Sequence, residues 1–188
     1  ECNGTGKKIT EKCTQCNGKG YSTGYTTFKY TVPAGADTNS YIQKNGMGHA
    51  STNGGEPGDL YIVFNVLPHK LLKRKDFDIY VDVPVSFTTA CLGGKVSIPT
   101  LDNPVEIDIP EGTQNGKVIT VRGKGIKSRF GSGNLYATVV VETPTKLTRT
   151  QKKILSDLMQ EEDIKQCPKM NDYSVKVQSL YGVNPYKK

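Results

Sequence analysis

Three cysteines near the start of the chain have a spacing suited to binding a metal. Cys13 and Cys16 belong to a C-x-x-C-x-G-x-G motif that ends at Gly20, and Cys2 opens the second half of a similar motif. Two thiolates two residues apart in a tight turn can bind one tetrahedral Zn²⁺, at Zn–S distances of about 2.3 Å. The glycines allow the backbone N–H groups to turn towards the sulfurs. The spacing therefore predicts Cys2, Cys13 and Cys16 as zinc ligands rather than as part of a disulfide framework.

Other interpretations of the cysteines stay open. A C-x-x-C pair also occurs in thiol–disulfide oxidoreductases, but no strand–helix context here supports a lowered thiol pKa. Three thiolates do not complete a structural zinc site, so these thiols can equally be reduced and unmetallated. Cys91 and Cys167 are isolated in the sequence. We expect Cys91 to be a core residue of a short helix over Ser86–Leu92 and Cys167 to have no role.

The sequence contains no constellation that predicts catalysis. It has two histidines, His49 and His69, and we expect both to be loop or surface residues. Neither a G-x-S-x-G elbow nor a phosphate-binding loop is present. The pair Gly123 and Gly125 lies between predicted strands rather than before a helix, so it indicates a turn. We predict that the chain is not an enzyme.

Two stretches of the chain, residues 28–68 and 104–144, repeat one pattern. Nine positions of the first stretch recur in the second, 75 to 77 residues later. We interpret this as two copies of one β unit, in which the glycines supply the positive φ of tight turns. The matched residues are Pro33 and Pro110, Gly35 and Gly112, Ile42 and Ile119, Gly46 and Gly123, Gly48 and Gly125, Gly58 and Gly133, Leu60 and Leu135, Tyr61 and Tyr136, and Pro68 and Pro144.

Alternation of apolar and polar residues predicts the strands of this repeat. One face of most strands should be buried and the other wet, as in antiparallel sandwiches. The sequence therefore predicts a mainly β fold of two consecutive, similar domains that resemble β-sandwiches or barrels. The predicted strands cover residues 27–32, 60–66, 78–83, 105–109, 118–121 and 135–141.

The pattern becomes helical after Pro144. Thr148 is a suitable N-cap, and the run from 149 to 162 places four apolar residues on one stripe. A helix of this length does not persist alone in water, so the stripe should pack on a partner surface. These four residues are Ile154, Leu155, Leu158 and Met159. We expect residues 165–188 to be a mobile tail with a short helical turn near 175–180.

The chain is basic, with a net charge of +7 and a pI near 9.1. The positive residues are scattered, and the densest group lacks interleaved aromatics, so we interpret them as a solvated surface rather than a nucleic-acid interface. No stretch reaches the apolar length of a membrane span. We therefore expect neither a nucleic acid nor a membrane as partner. The densest basic group is Lys70, Lys73, Arg74 and Lys75.

Six strings in the sequence resemble one protein family, the type I or zinc-bearing DnaJ co-chaperones, in their C-terminal half. The resemblance runs from Cys2 to Leu158. It implies a zinc-finger remnant, a first and a second client-binding β domain, a dimerisation helix and a tail, at residues 1–27, 28–73, 74–145, 146–163 and 164–188. The strings are CTQCNGKG, VPAGADT, GEPGDLYIVFNV, VPVSFTTACLGGKVSIPTLD, IPEGTQNGKVITVRGKGI and GNLYATVVVETP.

The resemblance implies a co-chaperone that binds unfolded or extended polypeptide and delivers it to a DnaK-type ATP-dependent chaperone. In the family, a client strand adds beside a sheet edge over an apolar groove. By position, Phe28 and Ile62 resemble the groove residues, and Tyr30 and Phe64 extend the set. Sequence alone leaves open whether these residues form a groove or a core. The helix at 148–162 resembles the element that makes the family homodimeric.

The resemblance also carries expectations about zinc and about what the chain lacks. Family members hold two zinc ions with four cysteine knuckles. Cys13 and Cys16 resemble the fourth knuckle and Cys2 the end of the third, so both zinc sites are incomplete in this chain. The His-Pro-Asp motif of the J-domain, which acts on the DnaK-type partner, does not occur. We expect the cytoplasm or an organelle such as the mitochondrion as the compartment. A zinc-dependent nucleic-acid-binding module and a thiol–disulfide oxidoreductase are the alternative functions.

Overall fold

The structure is a computed structural model that describes residues 11, 13–16, 21–51 and 55–186. The chain divides into two compact units, Glu1–Val141 and Glu142–Lys188. Strands dominate the first unit and helices the second, so the predicted mainly β fold with a C-terminal helix is confirmed. Within the described residues, no helix is both long enough and apolar enough to cross a membrane.

The described part of the first unit contains ten strands, the last of which runs on to Glu142, and one helix. Their bounds are β1 Tyr41–Lys44, β2 Leu60–Val63, β3 Lys73–Lys75, β4 Asp78–Ser86, α1 Phe87–Leu92, β5 Gly94–Ile98, β6 Val105–Ile109, β7 Val118–Val121, β8 Lys127–Ser128, β9 Gly131–Ser132 and β10 Leu135–Glu142. The strands form one four-stranded sheet in the order β3-β4-β10-β7 and three two-stranded sheets, β1-β2, β5-β6 and β8-β9. These described sheets are open, so the barrel-like alternative does not apply to them.

The hydrophobic core lies between the four-stranded sheet, α1 and the β5–β6 hairpin. Alternate residues of β4 point into it, as the period-two pattern predicted. Leu135, Ala137 and Val139 of β10 are fully buried at its centre. The N-terminal hairpin β1–β2 contributes no residue to this buried cluster. The buried residues are Leu72, Ile79, Val81, Val83, Val85, Ala90, Ile98, Ile107, Ile109, Leu135, Ala137 and Val139.

The internal repeat appears in the structure as two hairpins with the same register. In β1–β2, Ile42 faces Ile62, and in β7–β10 the matched residues Ile119 and Ala137 face each other. The hydrogen bonds around both hairpins correspond as well. The matched donors and acceptors are Gly46 N to Asp59 Oδ1 and Gly123 N to Asn134 Oδ1, Gly48 N to Gly58 O and Gly125 N to Gly133 O, and Val66 N to Thr38 Oγ1 and Val141 N to Asn115 Oδ1.

The two glycines of each Gly-x-Gly turn serve different purposes. Gly46 and Gly123 adopt φ values of 68° and 70°, where a side chain would strain the backbone. Gly48 and Gly125 instead allow a close approach of two chains. A Cβ atom on Gly48 would lie 2.7 Å from the carbonyl oxygen of Gly58, and one on Gly125 would lie 2.5 Å from the carbonyl oxygen of Phe77. Positive φ therefore explains only half of the glycine pattern.

The predicted strand over residues 27–32 is absent. Its counterpart in the second copy, β6, is hydrogen-bonded to β5. Among the described residues, the first copy has no strand equivalent to β5, so the alternating residues 27–32 lack a partner with which to form a ladder. The predicted strand over 60–66 is also shorter and ends at Val63, although Phe64 still exchanges hydrogen bonds with Asn39 and Ser40.

The short helix predicted around Cys91 is confirmed, but the place of the cysteine was wrong. Helix α1 starts after the N-cap Ser86, whose Oγ accepts a hydrogen bond from Thr89 N. Ala90 is the residue of α1 that points into the core, whereas Cys91 is exposed. The helical rotation of about 100° per residue separates the two neighbouring side chains.

The second unit consists of α2 (Arg149–Glu161), a 3₁₀ turn (Ile164–Gln166) and α3 (Pro168–Tyr181). Thr148 is the N-cap of α2, as predicted, and it forms a capping box with Gln151. Helix α3 corrects the prediction of a mobile tail with one short turn. It has Pro168 at its first turn and ends at Gly182, which is left-handed with φ 67°. These are the sequence signals that start and stop a helix.

Candidate functional site

One face of the β1–β2 hairpin carries a half-buried row of apolar side chains. Because side chains alternate along a strand, Ile62 lies on the same face as Leu60 and Phe64. Ile42 lies directly opposite Ile62 and therefore shares this face. All four residues are half-buried. The sequence had singled out Ile62 and Phe64; Ile42 and Leu60 could have been added from the repeat, in which both are matched positions.

The segment before β1 brings the ring of Tyr30 next to Lys44 of the hairpin, with Phe28 beside Tyr30. The ring centroids of Phe28 and Tyr30 are 6.1 Å apart. Lys44, which faces Leu60 across the hairpin, places its Nζ 5.7 Å from the centroid of Tyr30. Tyr30 is half-buried, and its hydroxyl donates to the sulfur of Met47 over 3.8 Å. We define the client row as Phe28, Tyr30, Ile42, Leu60, Ile62 and Phe64.

The second copy of the repeat shows how such a face is closed. The residues matched to Leu60, Ile62 and Phe64 are Leu135, Ala137 and Val139, and each of them is 0% exposed. In the second copy they belong to one buried cluster with residues of the neighbouring strand β4, of α1 and of the β5–β6 hairpin. Among the described residues, the first copy has no equivalent cover, and Phe28 remains 38% exposed. The client row thus has apolar side chains at the spacing of a core face, but the described part of the chain leaves them partly exposed.

An open strand edge borders the client row. Phe64 N donates to Ser40 O and Phe64 O accepts from Asn39 N, so the backbone groups of Phe64 point towards the chain that leads into β1. Since bonded and non-bonded pairs alternate, Tyr61 and Val63 direct their backbone groups away from β1. In the second copy, this outer edge of β10 is paired with β4. Within the described residues, the corresponding edge of β2 has no strand beside it.

The opposite face of the hairpin is wetter. Tyr41 and Tyr61 pair there, with ring centroids 5.6 Å apart, and Val63 is 62% exposed. In the second copy, the matched Tyr136 is instead stacked on Tyr80 of β4, at 5.1 Å. The two faces of β2 therefore differ in exposure, which offers a matched comparison between Ile62 and its neighbour Val63.

Two of the three predicted zinc ligands lie within the described residues. Cys13 and Cys16 lie in one turn, whereas Cys2 lies outside the described residues. Hydrogen bonds from the backbone of Cys16, then from the backbone of Gln15, lower the pKa of Cys13 from its ordinary value. A structural zinc ion needs four ligands, and no group of three or more His, Cys, Asp or Glu side chains in the described part of the chain could hold a metal.

The predicted dimerisation stripe lies along α2. Ile154, Leu158 and Met159 are 61%, 45% and 56% exposed, and Leu155 is half-buried. No residue of α2 is buried. The spacing of these apolar side chains along α2 is typical of a helix face that packs on another element.

Comparisons with known proteins agree with this architecture. The family model of the DnaJ C-terminal domain matches residues 2–144. The chain is similar to proteins named Chaperone protein DnaJ. It is 47% identical to that of Polaromonas sp. (strain JS666) over 84% of this chain and 42% of the relative. Identity is 41% to that of Polaromonas naphthalenivorans, over 97% and 49%, and 40% to that of Vesicomyosocius okutanii, over 96% and 50%. The chain spans about half the length of these relatives.

Proposed function

Because the chain belongs to the DnaJ C-terminal domain family, we propose that it holds extended segments of unfolded polypeptide on the client row and passes them to a DnaK-type chaperone. The observation that carries the proposal is the contrast between the two copies of the repeat. Leu60, Ile62 and Phe64 are half-buried in the first copy, whereas the residues matched to them in the second copy are fully buried. An apolar face with an open strand edge fits an incoming strand better than it fits water.

The physical basis of binding would be β-augmentation. The outer edge of β2 offers main-chain groups that bond any sequence, so the affinity does not depend on one client. Apolar side chains at alternate positions of the client would then cover the client row and lose contact with water. Each such side chain contributes about 1.5–3 kcal/mol when it is fully buried. The site therefore favours segments that alternate apolar and polar residues, which folded proteins bury and unfolded ones expose.

The zinc and partner expectations belong to the same proposal. In a longer protein, Cys13 and Cys16 would bind zinc together with cysteines beyond this pair. The thiolates would hold the ion and thereby fix the turn that precedes the client row. The relatives come from bacteria, and we propose the cytoplasm or an organelle of bacterial descent as the compartment. The His-Pro-Asp motif of the J-domain, which acts on the DnaK-type partner, does not occur in these 188 residues.

A second part of the proposal is a homodimer formed through α2. The stripe of Ile154, Leu155, Leu158 and Met159 would meet the same stripe of a second copy in a two-fold interface. Two client rows in one dimer would hold one long client more tightly than either row alone, because the second contact forms at a high effective concentration.

The proposal is tested by aggregation suppression. The parent chain should keep a thermally unfolded client protein in solution, and Phe28→Asp with Ile62→Asp should lose this effect while its circular dichroism is unchanged. An insulin-reduction assay and a salt-titrated DNA gel shift test the alternatives, a thiol–disulfide oxidoreductase and a nucleic-acid-binding module. Failure of the parent chain to suppress aggregation, with activity in either of the other assays, would contradict the proposal.

A further inference from the structure

Arg74 of β3 uses all three guanidinium nitrogens to hold backbone carbonyls. Its Nη1 donates to Ala36 O at 2.7 Å and its Nη2 to Gly35 O at 2.9 Å. Its Nε donates to the carbonyl oxygen of Asp76, at 2.8 Å, in the β3–β4 turn. The side chain is 20% exposed, so water competes little for these bonds. Charge-assisted bonds from a planar fork fix both distance and direction.

Gly35, in the turn that Arg74 holds, also lies close to the two residues of β8 and to the ring of Phe77. Gly35 has a φ of +84°, and a Cβ atom there would lie 3.2 Å from the carbonyl oxygen of Lys127 and from the Cβ of Ser128. The same atom would lie 3.4 Å from the ring of Phe77. The turn is therefore placed by two independent contacts, the guanidinium on one side and the close approach of Gly35 on the other.

This turn connects the two parts of the client row. Phe28 and Tyr30 lie just before it, and β1, with Ile42, follows it. Residues 27–32 form no strand, so no ladder of their own holds them in place. The position of Tyr30 next to Lys44 of the hairpin, and of Phe28 beside Tyr30, thus depends on where the turn is anchored.

We infer that Arg74 is a positioning residue for the client row: it holds the turn at Gly35 and Ala36 so that Phe28 and Tyr30 lie over the β1–β2 hairpin. Arg74 itself does not touch the client. The inference rests on the proposed function for its effect on clients, but the placement of Phe28 can be measured without a client. Without the guanidinium bonds of Arg74, a smaller fraction of molecules has Phe28 and Tyr30 in place beside the hairpin. The apparent affinity for a client peptide falls in proportion to that fraction.

The experiment uses tryptophan as a reporter at position 28, since the chain has no tryptophan of its own. In the Phe28→Trp background, Arg74→Ala should shift the emission to longer wavelength. In the chain that keeps Phe28, Arg74→Ala should weaken binding of a labelled peptide with alternating apolar residues by about tenfold. Arg74→Lys keeps the charge but cannot span three carbonyls, so its values should be intermediate. Guanidinium ion, added far below denaturing concentrations, should restore part of both signals in Arg74→Ala alone.

Two further variants separate positioning from a general loss of stability. Lys73→Ala removes the neighbouring side chain, which bonds Asp82 at 2.9 Å in an exposed pair, and should change neither signal. Gly35→Ala displaces the turn, and with it the carbonyl that Arg74 Nη2 holds, while the Arg74 side chain itself is kept; it should reproduce the losses of Arg74→Ala. If Arg74→Ala fails to fold, the emission and the peptide affinity of Gly35→Ala and Arg74→Lys test the inference instead.

Each outcome has a distinct meaning. Emission and affinity like the parent's in Arg74→Ala, or in a folded Gly35→Ala if the first variant unfolds, would overturn the inference. If the parent chain does not bind the peptide at all, the proposed function fails, while the emission shift in the Phe28→Trp background still tests the placement of residue 28.

Discussion

A repeated side-chain bond sets the geometry of each hairpin at the residue scale. Asp59 accepts hydrogen bonds from Gln43 Nε2 at 2.7 Å and from Gly46 N at 3.0 Å. In the second copy, Asn134 makes the matching bond to Gly123 N at 3.2 Å. Asp59 and Asn134 thus accept the same hydrogen bond from a glycine N–H, because each has a side-chain oxygen at the same distance from its backbone. Only the aspartate makes the turn sensitive to pH.

The turn at Gly46 should loosen in acid. The bonds from Gln43 and Gly46 lower the pKa of Asp59 from its ordinary value of 3.8. A lowered folded-state pKa means that the carboxylate stabilises the hairpin above the unfolded-state pKa and that this stability is lost as pH falls through the folded-state pKa. An NMR titration of the Gly46 amide should therefore have its midpoint below 3.8, and Asp59→Asn should abolish the titration. A midpoint at or above 3.8 would contradict this account of the turn.

At the scale of elements, the sequence predicted what depends on local pattern and missed what depends on a partner. Alternation located β4, β6, β7 and β10 because each has a neighbouring strand and a core face. The same alternation failed over 27–32, where the described residues provide no neighbouring strand. Helix α3 was missed because its apolar residues form no single stripe, although Pro168 and Gly182 marked its ends.

The client row was predictable in part. Phe28 and Ile62 came from the family resemblance, and period two added Phe64. Whether they are core or groove could not be read from the sequence, since both need apolar residues at the same spacing. The answer depends on whether another strand covers them, which is a property of tertiary structure.

Matched glycines of the repeat should differ in their tolerance of a side chain. A Cβ atom on Gly133 would lie 1.9 Å from the carbonyl oxygen of Phe77, whereas one on the matched Gly58 would have its nearest neighbour at 3.9 Å. Gly133→Ala should therefore lower the free energy of unfolding by about 3 kcal/mol, and Gly58→Ala by about 0.5 kcal/mol or less. Urea unfolding of both variants measures the difference. Equal losses would mean that β4 does not pack on the second copy as described.

At the scale of the whole molecule, the two units have different roles in the proposal. The first unit carries the client row and the buried core, and the second carries helices with no buried residue. A helical unit without a core of its own depends on packing for its stability. The proposed two-fold contact through α2 supplies such packing and would make assembly a condition for tight client binding.

The chain should sediment as a dimer, and truncation after Pro144 should yield a monomer that binds clients more weakly. Leu158→Asp places a charge in the proposed interface and should also yield a monomer, whereas Gln160→Asp, which is exposed and at least 100° around α2 from each residue of the stripe, should not. Sedimentation velocity over a range of micromolar concentrations distinguishes the states. A full chain that stays monomeric at high micromolar concentration would contradict the dimer and leave α2 as an intramolecular cap.

The most direct test of the central claim compares two neighbouring residues of β2. Ile62 belongs to the half-buried client row, and Val63 lies on the exposed opposite face. Ile62→Asp puts a charge where a client side chain would be desolvated, so binding of an alternating apolar peptide should weaken by about 2 kcal/mol, or roughly thirtyfold. Val63→Asp should bind within a few-fold of the parent. Fluorescence anisotropy gives both affinities, with circular dichroism to check the fold. Equal affinities in the two folded variants would show that the row does not bind clients.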